Sequence, residues 1–271
     1  MDKYSVLMSI YEKEKPEYLI ESLDSIINQT VPPDEIILVE DGPLNNVLYK
    51  TIDKYLNDHD ILKVIKSSNN VGLGRALNLG LINCKNELIA RMDTDDIAMK
   101  NRCEKQLIVF NNHNDLAIVG AAIDEFYENS DNIISTRVVP EFNKDIYNFS
   151  KRRSAFNHPV VMYKKSEVLR VGGYRDLRRN QDVDLFGRML FNGCKAYNLQ
   201  ESLLLFRANK SLKKRRKSWE NTKSYINVIY RFWKKGYSSL GDLCIVCISQ
   251  IGMFLCPIKI QSLIYSKYLR K

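Results

Sequence analysis

Glu87-Leu88-Ile89-Ala90-Arg91-Met92-Asp93-Thr94-Asp95-Asp96 is the stretch on which the fold turns. Its apolar start reads as a short buried strand. The strand gives way at once to three carboxylates in four residues. Upstream, Asn70-Val71-Gly72 leads into a helix carrying Ala76, Leu77 and Leu81, and Leu62 to Ile65 reads as a strand before it. Further back, Glu35 to Val39 is a strand that stops at Glu40-Asp41-Gly42-Pro43, followed by a helix through Tyr55. Val6 to Ile10 is the first strand, and Pro16 opens a helix with Leu19, Ile20, Leu23, Ile26 and Ile27 at helical spacing. Downstream a helix covers about 99–111. Short strands are expected near 117–120, 133–139, 160–163 and 203–206, and a helix starts at Asp182 to Leu190. From about 217 the chain reads as helical and basic.

Strands alternating with helices predict an α/β fold with a mostly parallel central sheet flanked by helices. Ligands of such sheets sit at the carboxyl ends of the strands. Asp41 and Asp93 both fall just past strand ends, so they are expected to converge on one crevice.

The acidic cluster admits two readings. Close carboxylates repel one another unless a cation lies between them, and a hard divalent ion, Mn²⁺ or Mg²⁺, suits oxygen ligands. A helix N-terminus also favours acids. The position after an apolar strand, beside Arg91, favours the metal. Asp41 can meet a base or ribose, and Asp-Gly-Pro is equally good turn chemistry. Arg75, in Gly72-Leu73-Gly74-Arg75, can reach a phosphate as a fork donor or stand solvated on its helix. In Asn180-Gln181-Asp182-Val183-Asp184-Leu185, Asp182 or Asp184 can cap a helix or serve as a general base. His158, in Asn157-His158-Pro159, is structural or lies in the site.

With 271 residues the chain can build one sizeable core or a domain with an appendage. Its charge is uneven. Residues 207–271 hold 15 Lys and Arg against Glu220 and Asp242, whereas residues 1–206 hold 26 against 30 acids. Such asymmetry points to a tail that meets something anionic. Six cysteines give no paired metal framework, and Cys244 and Cys247 sit in an apolar run. The N-terminus carries no signal-peptide pattern, because Glu12, Lys13, Glu14 and Lys15 follow its short apolar run.

In sequence order, the chain carries Ser5-Val6-Leu7-Met8-Ser9-Ile10-Tyr11, Ile37-Leu38-Val39-Glu40-Asp41-Gly42 and Asn70-Val71-Gly72-Leu73. Then come Ala90-Arg91-Met92-Asp93-Thr94-Asp95-Asp96 with Asn101-Arg102 and Glu104-Lys105-Gln106. His158-Pro159, Gly172-Gly173-Tyr174-Arg175 and Gln181-Asp182-Val183-Asp184-Leu185 complete the set. Over roughly residues 4–206 this resembles family 2 glycosyltransferases with the A-type, Rossmann-like nucleotide-sugar fold, and in particular those that build O-antigen or capsule repeat units. The resemblance implies that Asp41 binds the uracil or ribose end of a UDP-sugar, with Tyr11 near the base. It implies that Asp93 and Asp95 form the DxD pair, touching ribose and holding Mn²⁺ or Mg²⁺ on the diphosphate, and that Arg75 and Arg91 serve the same site. It implies that Asp182 is the catalytic base of an inverting transfer to a polyprenyl-diphosphate-linked sugar. Many relatives carry Glu-Asp where this chain has Gln181-Asp182, so any role of the preceding carboxylate is lost or changed.

The expected division is a nucleotide-sugar-binding catalytic domain over 1–206 and a basic, partly apolar helical extension over 207–271. Lys213-Lys214-Arg215-Arg216-Lys217 is a dense basic block, and Leu243 to Ile258 is apolar apart from Ser249 and Gln250. Its sixteen residues fall short of the ~20 of a spanning helix. An interfacial segment on an anionic membrane surface is expected, which would make the protein peripheral on the cytoplasmic face of the inner membrane. A helical pair packed on the core, or an oligomer contact, is the other reading of the same tail. Nucleic acid does not suit the acidic first 206 residues. A nucleotidyltransferase would need a Gly-rich loop near the N-terminus, and residues 9–16 contain no glycine. A catalytically degenerate nucleotide-sugar-binding protein is the competing function class.

Overall fold

The computed structural model describes residues 2–208, 217–257 and 261. The chain runs β1 (Tyr4–Ile10), α1 (Pro16–Ile27), β2 (Glu35–Asp41), α2 (Asn46–Asp58), β3 (Leu62–Ser67), α3 (Leu73–Asn83) and β4 (Leu88–Arg91). It continues through β5 (Ile97–Ala98), α4 (Arg102–Asn112), β6 (Leu116–Phe126), β7 (Ile133–Arg137) and α5 (Asn143–Ser150). A 3-10 turn at His158–Val160 precedes β8 (Met162–Lys164), α6 (Lys165–Arg170), α7 (Gln181–Phe191) and β9 (Lys195–Arg207). Two helices follow, α8 (Trp219–Lys234) and α9 (Leu240–Leu255).

Nine strands form one sheet in the order β3-β2-β1-β4-β8-β6-β9-β5, with β7 paired to β6. The first half is parallel, as the strand-helix alternation requires. Beyond β4 the pairings are antiparallel except for β6 with β9, so the sheet is mixed, with its long ladders parallel.

β1, β2 and β4 are buried on both faces, and successive residues of β1 and β2 feed opposite cores. Val6, Met8 and Ile10 join Leu19, Leu23, Leu48 and Leu107 on one side. Leu7, Ile37 and Val39 join Leu77, Leu81, Phe186 and Phe232 on the other. Each large apolar side chain buried this way contributes about 1.5–3 kcal/mol.

Two boundaries differ from the sequence reading. β2 runs through Asp41 because β3 extends to Ser67 and pairs with it, so Asp41 is the last residue of the strand and not a residue beyond it. β9 runs to Arg207, which pairs with Phe126, so the sheet takes the residue placed first in the tail. α8 packs on the core through Val228, Ile229 and Phe232. Its fit against α7 needs a glycine. A Cβ on Gly187 would stand 2.1 Å from the Phe232 ring. Lys213 to Arg216 of the basic block lie outside the described residues.

Candidate active site

The acidic segment is held from three directions before its side chains act. Met92 N–H donates to the Leu7 carbonyl (3.1 Å), which continues the ladder from β1. Ser22 of α1 donates to the Asp93 carbonyl (2.9 Å). At the far end of the sheet, Arg207 donates through Nε to the Asp95 carbonyl (2.9 Å) and through its backbone N–H to Asp96 Oδ1 (2.8 Å). The Arg207 guanidinium also pairs with Glu21 and lies over the Tyr18 and Phe126 rings. Backbone groups so engaged leave the carboxylates as the free chemistry of the loop.

Oxygens of Asp93, Asp95 and Asp96 all come within 4.8 Å of one another. Glu14 joins them from the β1–α1 loop, accepting from Thr94 Oγ1 at 2.8 Å. Burial raises the Asp95 carboxyl to about 7, with the Asp93 and Glu14 charges pushing the same way. Burial, then Asp95 and Asp93, push Asp96 well above the carboxylate range. Burial also raises Glu14. Asp96 Oδ2 is buried without a hydrogen-bond partner. Four acids crowded this way, one with an orphaned oxygen, fit a hard divalent cation.

One cation of the chain already stands at the edge of this group. Arg91, 1% exposed, pairs with Asp93. Burial works against its charge, and Asp93 and the Tyr174 hydroxyl outweigh that burial. Its Nε and Nη1 are buried without partners. Behind it Arg102, also buried, donates to the Arg91 carbonyl at 2.6 Å.

Asp182 enters the same crevice from α7. It is the second residue of that helix, after Asn180 in the left-handed region (φ 58°) and the buried Gln181. Burial raises its carboxyl, and the Arg91 and Arg137 charges oppose the rise. The Tyr174 hydroxyl feels Arg91, Asp182 and Asp93, so these four groups share one neighbourhood. Tyr174 is fixed on both sides. Asn78 of α3 accepts from its N–H (2.8 Å) and donates to its carbonyl (2.7 Å). His158 Nε2 meets its hydroxyl at 2.8 Å. Burial holds His158 well below the ordinary histidine range, and Arg91 pushes the same way, so the ring is neutral and positions Tyr174.

The remaining expected residues stand further out. Asp41 is buried, and its two oxygens accept from Val71 N–H (2.6 Å) and Gly72 N–H (3.1 Å), which fixes the loop before α3. Gly42 permits this close approach, with φ 89° and a would-be Cβ 2.6 Å from Asn70 N. Tyr11 follows β1 and is 40% exposed. Arg75 is exposed and pairs with Asp176. Asp184 is buried between Arg175 (2.9 Å) and Arg188 (2.7 Å), so it is structural. Sequence reading did not single out Glu14, Tyr174 or Arg207 for roles. Glu14 lies in an alternating charge run that resembles a solvated turn, and Arg207 meets Asp95 from more than a hundred positions away.

A family model described as glycosyl transferase family 2 matches residues 5–177. The chain is 39% identical over 272 residues to a UDP-Gal:alpha-D-GlcNAc-diphosphoundecaprenol beta-1,3-galactosyltransferase of Escherichia coli, covering 99% of this chain and 97% of that one. It is 34% identical to the amylovoran biosynthesis glycosyltransferase AmsE of Erwinia amylovora, covering 97% and 98%. Among solved structures, the mannosyltransferase PcManGT from Pyrobaculum calidifontis, in complex with GDP-Man and Mn²⁺, aligns with a TM-score of 0.67. At 14% identity, over 93% of this chain and 72% of that one, the likeness concerns the fold.

Proposed function

The chain belongs to glycosyl transferase family 2 and is a glycosyltransferase, and from that premise we propose its reaction. It moves a hexose, Gal or Glc or the N-acetyl forms, from a UDP-sugar to a lipid-diphosphate-linked sugar in bacterial surface polysaccharide synthesis. What supports this reading is the cluster of Asp93, Asp95 and Asp96, together with Arg91, which pairs with Asp93 and whose charge also acts on Asp182. The E. coli relative, named for UDP-Gal and a GlcNAc-diphosphoundecaprenol, supports the substrate classes.

Asp93 and Asp95 would hold Mn²⁺ or Mg²⁺, which when bound offsets charge growing on the departing nucleoside diphosphate. Asp41 and Tyr11 line the base and ribose end, at the carboxyl ends of β2 and β1. Asp182 removes the proton from the acceptor hydroxyl as that oxygen attacks the anomeric carbon. A single displacement follows, with inversion and no covalent enzyme intermediate. Arg91 pairs with Asp93 and opposes the rise that burial imposes on the Asp182 carboxyl. Gln181, neutral where many relatives carry Glu, adds no further charge beside the base.

The protein works as a peripheral protein on the cytoplasmic face of the membrane. No described helix is long and apolar enough to cross one. α9 exposes Leu240, Ile245, Ile248, Ile251 and Leu255, and the segment from 207 onward is strongly basic. An apolar face beside basic charge suits an anionic lipid surface.

A turnover screen tests the reaction. It uses Mn²⁺ with UDP-, GDP- and dTDP-sugars and a GlcNAc- or GalNAc-diphosphate-lipid acceptor. Metal-dependent release of UDP from one donor, lost in Asp95→Ala, is expected. Turnover that survives in EDTA and in Asp95→Ala overturns the role of the acidic cluster.

A further inference from the structure

Arg175 stands one residue beyond Tyr174, and its guanidinium pairs with Asp184. With Arg231, Lys234 and Lys235 of the α8 end it lines an open cleft of about 360 Å³. Two elements distant in sequence thus bring four cations to one wall. Among the described residues, Arg231, Lys234 and Lys235 form no salt bridge with a carboxylate, whereas Arg178, at the start of the same region, pairs with Glu220. The nearest acid on the Arg175 side is Asp184, and it is already shared between Arg175 and Arg188. Positive side chains in a helix's last turn complement its dipole. That effect accounts for cations on α8 and not for Arg175, which comes from the segment before α7. Arg175 has Asp184 as its partner, whereas the three α8-end cations are gathered without carboxylates among the described residues, which raises the free energy of the empty cleft, and an anion relieves it.

We propose that this cleft binds the diphosphate of the lipid-linked acceptor. The proposal rests on the acceptor class given under the proposed function. Such a molecule carries a sugar, a diphosphate and a lipid in turn, and the chain offers groups suited to each. Asp182 and Tyr174 hold the reacting end, where a sugar hydroxyl loses its proton. Arg175, Arg231, Lys234 and Lys235 follow, with fork and ammonium donors for phosphate oxygens. Five residues beyond Lys235, Leu240 opens the exposed apolar side of α9, with Ile248 74% exposed, where a lipid chain leaves the protein for the bilayer. The donor's diphosphate is served separately, by the acids and their cation. Asp93 and Asp95 would hold a cation for the leaving diphosphate, and side-chain cations would hold the diphosphate that stays bonded.

The test compares the wild type with Arg231→Ala/Lys234→Ala/Lys235→Ala, checked for folding by circular dichroism. Three acceptor probes are used: a short-chain sugar-diphosphate-lipid, the same sugar on a phosphate-free alkyl chain, and inorganic pyrophosphate titrated calorimetrically in EDTA. Loss of charge-assisted bonds to phosphate should raise the KM for the diphosphate acceptor about tenfold or more. The ratio of KM for the two acceptors should collapse, the donor KM should hold, and pyrophosphate binding should weaken by a similar factor. An equal change with both acceptors overturns the proposal. So does an unchanged acceptor KM accompanied by weaker binding to phosphatidylglycerol vesicles, which would make the cleft a lipid-headgroup site. If the wild type turns over no diphosphate acceptor, the function reading fails, and the pyrophosphate titration still decides whether the cleft takes a diphosphate.

Discussion

Replacing Arg91 with methionine removes the charge between Asp93 and Asp182 while keeping most of the side-chain volume. The guanidinium is 1% exposed, and Asp93 keeps 30% of its side-chain surface. Removing one partner of a buried ion pair costs roughly 3–5 kcal/mol, because the other charge is left uncompensated. Water reaches Asp93, so the lower end applies, about 3 kcal/mol. At about 2–4 °C per kcal/mol for a chain of this size, the variant melts roughly 6–12 °C below the wild type. The same change alters the base. Burial already raises Asp182, and Arg91 is the first charge opposing that rise. Without Arg91 the carboxyl climbs further. The base acts in its ionised form, which exists above its folded pKa and is lost as pH falls through it. The acidic limb of the kcat/KM profile therefore moves to higher pH. Arg91→Lys, which keeps a charge, moves it less. Differential scanning fluorimetry and a pH series of initial rates read the two effects. A melting temperature within about 2 °C of wild type would refute the buried pair, and a lower one with an unmoved acidic limb would refute the electrostatic link to Asp182.

Two further outcomes follow from the same geometry. Burial, Asp93 and Glu14 push Asp95 up to about 7, so a proton competes with the cation there. Mn²⁺ affinity, measured by calorimetry, should rise about tenfold per pH unit up to neutrality and then level off. Glu14→Gln should move the levelling point to lower pH, and a profile flat from about pH 5.5 to 8 would contradict the assignment. On α9, Ile248→Asp places a charge in the exposed apolar face. It should leave the melting temperature unchanged and weaken sedimentation with phosphatidylglycerol vesicles by about tenfold. Equal sedimentation of the two proteins would remove α9 from the membrane contact.

Most of the parallel half of the fold was legible because β1, β2 and β4 are short apolar runs buried on both faces, closed by a polar break. Val6 to Ile10, Glu35 to Val39 and Leu88 to Ala90 carry that signature plainly. β6 and β9 carried it poorly. β9 spans thirteen residues with a mixed burial pattern, including exposed Gln200 and Glu201, and its pairing with β6 shifts register. No local period encodes such a strand. In the site, Asp93, Asp95 and Asp182 were legible as acids placed after apolar runs or at a helix start. Asp41 was legible in position, but its hold on Val71 and Gly72 depends on a loop thirty residues away. Arg207 and Glu14 reach the acidic loop only through the closed sheet, so neither carries a local sign of its contact. Arg75 could be read as a phosphate donor or as a solvated helix residue, and it is exposed and pairs with Asp176.

The central claim is that Asp182 is the base that activates the acceptor while the acidic cluster serves the donor. Asp182→Asn tests it most directly, because the amide keeps the shape and loses the basicity. The measurement pairs transfer rate with donor affinity in the same preparation. Transfer should fall by about 10²–10⁴, while the UDP-sugar Kd in Mn²⁺ stays within about twofold. Full turnover by Asp182→Asn would contradict the account, and the base would then have to be sought elsewhere in the crevice.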